Sequence, residues 1–170
     1  MTALSSTLIS TTVWADTIEC VPLVPCTGTE NDDTIFGTNS DDSILARAGD
    51  DLVYGRSGGD TISGDDGRDT IYGGQDDDAI VGEFGVDTIY GGTGNDVTNG
   101  ASDNDRVYGE DGNDDVIGGS GNDKLYGGDG DDRLIGGSGA DQFRCGSGVD
   151  TIDDYNPVEG DKKSNDCENF

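Results

Sequence analysis

Histidine is absent from the 170 residues of this chain, and only nine lysines and arginines stand against 37 aspartates and glutamates. The absence of histidine removes the commonest general base and the commonest zinc ligand. A net charge of −28 would repel nucleic acids and anionic membranes and would attract multivalent cations. No apolar run is long enough for a transmembrane helix, and an apolar content of 31% leaves little material for a core.

What the chain has in excess is glycine, with 30 residues, and aspartate at a fixed interval. Every ninth residue from Asp33 to Asp150 is an aspartate. The residue two positions after each aspartate is apolar in thirteen of fourteen copies, Thr98 being the exception. A stack of identical turns needs such a column if each turn presents an oxygen ligand to a hard cation between turns. The aspartates are Asp33, Asp42, Asp51, Asp60, Asp69, Asp78, Asp87, Asp96, Asp105, Asp114, Asp123, Asp132, Asp141 and Asp150.

Each repeat follows the frame Gly-Gly-x-Gly-x-Asp-x-U-x, in which U is apolar, and residues 118–126 and 127–135 match it best. The glycines permit positive φ and let backbone carbonyls approach an ion closely. The x-U-x tripeptide is rich in β-branched and aromatic residues, so it predicts a very short strand whose middle side chain points away from its two neighbours. One unit is therefore a turn plus a strand, or half a coil.

The residue after U alternates in character from one unit to the next. In every second unit it is aromatic, and this aromatic file comprises Phe36, Tyr54, Tyr72, Tyr90, Tyr108 and Tyr126. The alternation predicts two sheets with different outer faces and two units per coil, hence about seven coils and a rod of about 30 to 35 Å. The aromatic file has two open interpretations: stacking that stabilises one sheet, or a stripe that binds sugars or a partner.

Over residues 31–156, these fourteen in-phase copies resemble the RTX, or haemolysin-type calcium-binding, nonapeptide family. The resemblance implies an all-β, right-handed parallel β-roll, with calcium between consecutive loops of the same edge. The aspartates would form two ladders of seven with six gaps each, so up to about twelve Ca²⁺ are expected. Backbone carbonyls would complete each shell, among them those of Gly73, Gly91, Gly118, Gly121, Gly127, Gly130, Gly136 and Gly139.

Some loops depart from the frame, and we expect weaker outermost sites and weaker sites near Asp51 and Asp105. Among the departures are Ala46, Cys145 and Asp154 at the first glycine, Arg47 and Arg56 at the second, and Asp76 and Asp103 at the third.

The two ends of the chain carry all four cysteines, outside the aspartate and apolar columns. An even count fits an oxidising compartment, where the local pairs would be Cys20 with Cys26 and Cys145 with Cys167; the alternative is four free thiols.

The segment from Cys20 to Thr27 and the run from Gly139 to Phe170 resemble the terminal segments of small secreted, mostly prokaryotic RTX proteins. We expect the ends of the chain, residues 16–30 and 157–170, to cap the open sheet edges. Residues 1–15 read as a weak export signal or a flexible leader.

The function predicted from these features is that of a secreted, extracellular calcium-binding protein without enzymatic activity, structural or associated with the cell surface. Because the core is thin and the carboxylates repel one another, we expect Ca²⁺ to drive folding. Alternatives are a calcium-triggered module of a larger secreted toxin, adhesin or hydrolase, and a subunit of an extracellular fibre or surface layer. Self-assembly and cell-surface polysaccharide are further candidate partners, whereas nucleic acid and membrane insertion are not expected.

Overall fold

The computed structural model describes residues 16–22 and 24–167, and in those ranges the chain forms parallel β-sheets with no helix. Successive strands alternate between a nine-stranded sheet, with the order β1-β3-β5-β7-β9-β11-β13-β15-β17, and an eight-stranded sheet, with the order β16-β14-β12-β10-β8-β6-β4-β2. The strands are β1 Thr17–Glu19, β2 Cys26–Thr27, β3 Thr34–Phe36, β4 Ser43–Ala48, β5 Leu52–Ser57, β6 Thr61–Asp66, β7 Thr70–Gln75, β8 Ala79–Phe84, β9 Thr88–Thr93, β10 Val97–Ser102, β11 Arg106–Asp111, β12 Asp115–Ser120, β13 Lys124–Asp129, β14 Arg133–Ser138, β15 Gln142–Ser147, β16 Thr151–Ile152 and β17 Lys162–Lys163.

The strand register confirms that two nine-residue units make one coil. Ile71 pairs with Ile89 and Tyr72 with Tyr90, at a separation of 18 residues. The fourteen strands β3 to β16 give seven coils of repeat, as predicted, and β1, β2 and β17 extend the solenoid to about eight turns. The alternation thus correctly predicted two sheets with two units per coil, and the structure is the parallel β-roll that the family resemblance implied.

The strands are longer than the predicted tripeptide, and most contain six residues. In β7, pairing includes Thr70, Ile71 and Tyr72, skips Gly73, and resumes at Gly74. Because every turn of the solenoid has the same length, the first loop residues of consecutive turns also lie in register and pair. The glycine frame thus begins inside the strand.

The interior is a thin core made from one file of side chains of each sheet. Burial alternates along each strand, and all thirteen apolar U residues are buried. Thr98 is buried in the same file, and its hydroxyl lies 3.4 Å from the carbonyl oxygen of Asp115. The buried apolar residues of the file are Ile35, Ile44, Val53, Ile62, Ile71, Ile80, Ile89, Val107, Val116, Leu125, Leu134, Phe143 and Ile152.

The aromatic file lies on the outer face of the nine-stranded sheet. Its rings stack nearly parallel, with centroids 4.3–5.2 Å apart and interplanar angles of 4–11°. Arg56 lies over the Phe36 ring at one end, and Arg144 lies over the Tyr126 ring at the other. Since neighbouring rings cover each other's faces, this arrangement supports the stacking interpretation. Binding of sugars or a partner there stays a prediction.

Two disulfides hold the ends, and both predicted pairs form. Cys20–Cys26 joins the segments of β1 and β2, with Cα atoms 5.3 Å apart, and Cys145–Cys167 joins β15 to the chain after β17, with Cα atoms 5.0 Å apart. Residues 1–15, the predicted leader, lie outside the described residues. Within the described ranges, no helix is long and apolar enough to cross a membrane.

Candidate metal centre

The structure gathers the fourteen sequence-predicted aspartates into two columns, each residue standing just before a strand of its sheet. All fourteen are buried, with relative exposures of 0–7%. The ladder before the nine-stranded sheet is Asp33, Asp51, Asp69, Asp87, Asp105, Asp123 and Asp141. The ladder before the eight-stranded sheet is Asp42, Asp60, Asp78, Asp96, Asp114, Asp132 and Asp150.

In twelve of the ladder residues, one carboxylate oxygen ties the turn to the preceding one. The backbone N–H of Asp78 donates to Oδ1 of Asp96, at 2.8 Å. The same bond recurs across all twelve intervals, with N···O distances of 2.6–3.0 Å. The carbonyl oxygen of Asp78 in turn accepts the N–H of Val97. The backbone of a ladder aspartate and its Oδ1 are therefore committed to stacking.

The second carboxylate oxygen is different. In twelve ladder residues, Oδ2 is buried and accepts no hydrogen bond from the described part of the protein. A buried acceptor without a partner is costly, and more so when it is charged. The twelve residues are Asp51, Asp60, Asp69, Asp78, Asp87, Asp96, Asp105, Asp114, Asp123, Asp132, Asp141 and Asp150.

Carbonyl oxygens of neighbouring turns lie close to these carboxylate oxygens. A Cβ at Gly91 would lie 2.5 Å from Oδ2 of Asp96 and 2.7 Å from the carbonyl oxygen of Gly109 in the next turn. The missing side chain therefore leaves a cradle into which a carboxylate oxygen and a carbonyl oxygen both point. Charged and carbonyl oxygens together are the ligands that Ca²⁺ takes, so the residues present fit this ion.

The glycines named as carbonyl donors lie at the expected loop positions. For six of them, a Cβ placed on a glycine of a neighbouring turn would lie only 1.6–2.8 Å from the carbonyl oxygen: Gly73, Gly91, Gly121, Gly127, Gly130 and Gly136. Gly118 and Gly139 occupy equivalent positions of the frame. Among the described residues, no three Asp, Glu, His or Cys side chains form a group that could hold a metal. Carbonyl oxygens would therefore have to supply most of the ligands, and the individual donors stay a prediction.

The loops before these twelve aspartates share a backbone conformation. Their second and fourth residues, counted from the first glycine of the frame, all have positive φ. At the second position six of them are not glycine, with φ of 78–86°: Arg47, Arg56, Asp65, Glu83, Ala101 and Glu110. Such a conformation is unfavourable for a residue with a side chain, so the loops store strain. Of these six, only the two arginines were predicted from the sequence as departures at this position.

Burial raises the pKa of eleven ladder carboxyl groups, whereas the N–H donated by the preceding aspartate lowers it in part. The pKa rises to about 7 in Asp69, Asp78 and Asp105. It rises to about 6 in Asp51, Asp60, Asp87, Asp114, Asp123 and Asp132. It is also raised in Asp96 and Asp141. A cation nearby would favour the charged form of these carboxylates.

An outer ladder, which was not predicted from the sequence, lies outside the two buried ladders. The N–H of Asn95 donates to Oδ1 of Asp77, and the N–H of Asn113 donates to Oδ1 of Asn95. These bonds run in the opposite chain direction to those of the buried aspartates. The signal was present as a recurrent Asp or Asn directly before the aspartate column: Asp32, Asp41, Asp50, Asp77, Asn95, Asn104, Asn113, Asn122 and Asp131.

Comparison with known families gives one match. The model of the RTX calcium-binding nonapeptide repeat (4 copies) matches residues 27–62, 54–89, 73–107, 90–125, 108–143 and 117–152. Together these segments run without a gap from residue 27 to residue 152, which is well over half of the chain. No curated protein matches it.

Proposed function

The chain belongs to the RTX calcium-binding nonapeptide repeat family, and from this premise we propose that it is an extracellular protein whose folding depends on Ca²⁺. The observation that carries the proposal is the set of twelve buried Oδ2 atoms without a hydrogen-bond partner among the described residues. A bound divalent cation would supply the positive charge and the oxygen coordination that these atoms lack.

Both aspartate side chains and backbone carbonyls of this chain would bind the ion. The ladder aspartates hold Oδ1 in the stacking bond and present Oδ2 towards the first glycine of the loop. The carbonyl of the next turn faces the same space. Six free Oδ2 atoms stand on each edge, which supports up to about twelve ions. Twelve divalent ions would cancel most of the net charge of −28.

Dependence of folding on the ion follows from the thin core and the crowded carboxylates. One file of side chains from each sheet fills the interior, while the strained loops and the desolvated ladders oppose folding. Binding energy that exists only in the folded chain becomes folding energy. We therefore expect the calcium-free chain to be expanded at neutral pH.

An extracellular, structural role is supported by the two disulfides, because disulfides persist in oxidising compartments. The proposal is non-enzymatic: the chain lacks histidine, and the buried aspartates are held in stacking bonds. Membership of a larger secreted protein, assembly into fibres and polysaccharide binding stay predictions from the sequence.

A calcium titration followed by far-UV circular dichroism and by calorimetry tests the proposal. We expect a change from a disordered to a β spectrum at millimolar Ca²⁺, the range of extracellular modules, with several ions bound per chain. Magnesium at the same ionic strength is the control. A β spectrum that excess EGTA leaves unchanged would contradict calcium-dependent folding, and the absence of binding heat would contradict calcium binding itself.

A further inference from the structure

The geometry points to a division that the nine-residue period conceals: Asp33 and Asp42 close their loops with protein N–H groups and do not bind calcium, although they belong to the same ladders as the ligands. This inference rests on the proposed function, because it concerns which aspartates serve as its ligands.

In the first two loops, Oδ2 of the aspartate already accepts a hydrogen bond from the backbone. The N–H of Thr29 donates to Oδ2 of Asp33 at 2.6 Å, and the N–H of Thr38 donates to Oδ2 of Asp42 at 2.6 Å. This is the same oxygen that lacks a partner in the twelve aspartates from Asp51 to Asp150. A charge-assisted hydrogen bond from the backbone thus replaces the interaction that elsewhere falls to a cation.

The position of the carboxylate changes with its partner. A Cβ at Gly37 would lie 3.1 Å from Oδ2 of Asp42, whereas a Cβ at Gly91 would lie 2.5 Å from Oδ2 of Asp96. Gly28 repeats the longer distance, 3.1 Å, to Oδ2 of Asp33. In both of the first two loops the carboxylate has therefore turned away from the glycine cradle and towards the loop N–H.

Residue type at the second loop position explains the difference. Thr29 and Thr38 occupy it here, and neither they nor the fourth residues, Asn31 and Ser40, have positive φ. A β-branched residue strongly disfavours positive φ, so the loop keeps its N–H directed at the aspartate. Each threonine hydroxyl also accepts the N–H two residues later, at 3.2 Å, which fixes the turn.

At the C-terminal end of the ladder of the nine-stranded sheet, a carboxylate also accepts backbone N–H groups on both oxygens. Asp161 accepts the N–H of Asp141 on Oδ1 at 2.9 Å and the N–H of Asn156 on Oδ2 at 2.7 Å. It follows Asp141 by 20 residues rather than 18, so the period does not reveal it. The ladder of the nine-stranded sheet therefore ends at both sides in a carboxylate whose two oxygens accept backbone N–H groups, and only the residues between them are left for calcium.

Two neighbouring residues of one ladder provide a matched test in the full-length chain. We would count bound ions by native mass spectrometry at saturating Ca²⁺ in Asp42→Asn and in Asp60→Asn. The amide oxygen of asparagine can still accept the Thr38 N–H, so Asp42→Asn should bind as many ions as the unsubstituted chain. Asp60→Asn should bind at least one ion fewer. The pair Asp33→Asn and Asp51→Asn repeats the comparison on the other edge.

The outcomes separate this inference from the proposed function. An equal loss of ions in Asp42→Asn and Asp60→Asn, with β spectra retained, would show that Asp42 is a ligand and overturn the inference. An unchanged count in Asp60→Asn would overturn it as well, because Oδ2 without a hydrogen bond would then not mark a ligand. Absence of calcium from the unsubstituted chain would instead refute the proposed function.

Discussion

The first two loops and the twelve that follow use the same aspartate at the same interval, but they place its Oδ2 differently. In the first two, a threonine N–H binds this oxygen, while in the others it stays buried without a hydrogen bond from the described residues. The difference coincides with φ at the second loop residue, which is positive in all twelve later loops. The period therefore determines where an aspartate stands, and the loop backbone determines what it binds.

The largest expected effect on this contrast comes from pH in the absence of calcium. Nine of the later aspartates have pKa values of about 6 or 7 in the fold, against an ordinary aspartate value of 3.8. Groups with a raised pKa stabilise the folded state fully below the unfolded pKa, and this contribution is lost as pH rises through the folded pKa. In EGTA, β structure should therefore increase cooperatively as pH falls from 8 to 5.

Circular dichroism in EGTA across that range measures the effect, with saturating calcium as the control. Since calcium keeps the carboxylates charged, the calcium-loaded chain should depend far less on pH and should weaken slightly towards pH 5. A calcium-free β signal that stays flat or declines as pH falls would contradict the carboxylate repulsion on which the contrast depends.

Removal of either disulfide should have an intermediate effect, which is a loss of stability at one end of the chain. Cys145–Cys167 closes 22 residues and Cys20–Cys26 closes only six. Loop-closure entropy predicts that serine pairs at these sites lower the free energy of unfolding by about 3 and about 2 kcal/mol, respectively. Urea denaturation in saturating calcium measures both. A larger loss from the Cys20/Cys26 pair would show that the N-terminal end, with its closed loops, depends on its disulfide more than chain entropy accounts for.

The smallest effect is a change of one ion, obtained by exchanging loop types. Thr38→Gly with Ser40→Gly converts the loop of Asp42 to the full glycine frame, so positive φ becomes accessible and Oδ2 loses its N–H partner. We expect one additional ion by native mass spectrometry. Ala101→Thr, in the loop of Asp105, should have the opposite effect and remove one ion. An unchanged count in both variants would show that the second loop residue does not select the ligands.

Most of the fold was predictable because each feature repeats. Fourteen aspartates and thirteen apolar residues in phase predicted the coils, the two sheets and the buried file, and alternation of the aromatic residues predicted which strands share a sheet. The six-residue strands and the outer ladder were not predicted, because only the apolar tripeptide has strand-forming side chains and the loop residues pair through the stacking of equal turns. The role of Asp161 was not predictable from the period, since two inserted residues displace it from the column.

The sequence by itself determined the coil, because side chains alternate along a strand and a nine-residue unit closes only half a turn. It also determined which residues line the core and which form the two ladders. Only the tertiary structure decided which carboxylate oxygens have a partner. That choice depends on whether a loop residue can adopt positive φ and on atoms 18 residues away that stacking brings within hydrogen-bond distance.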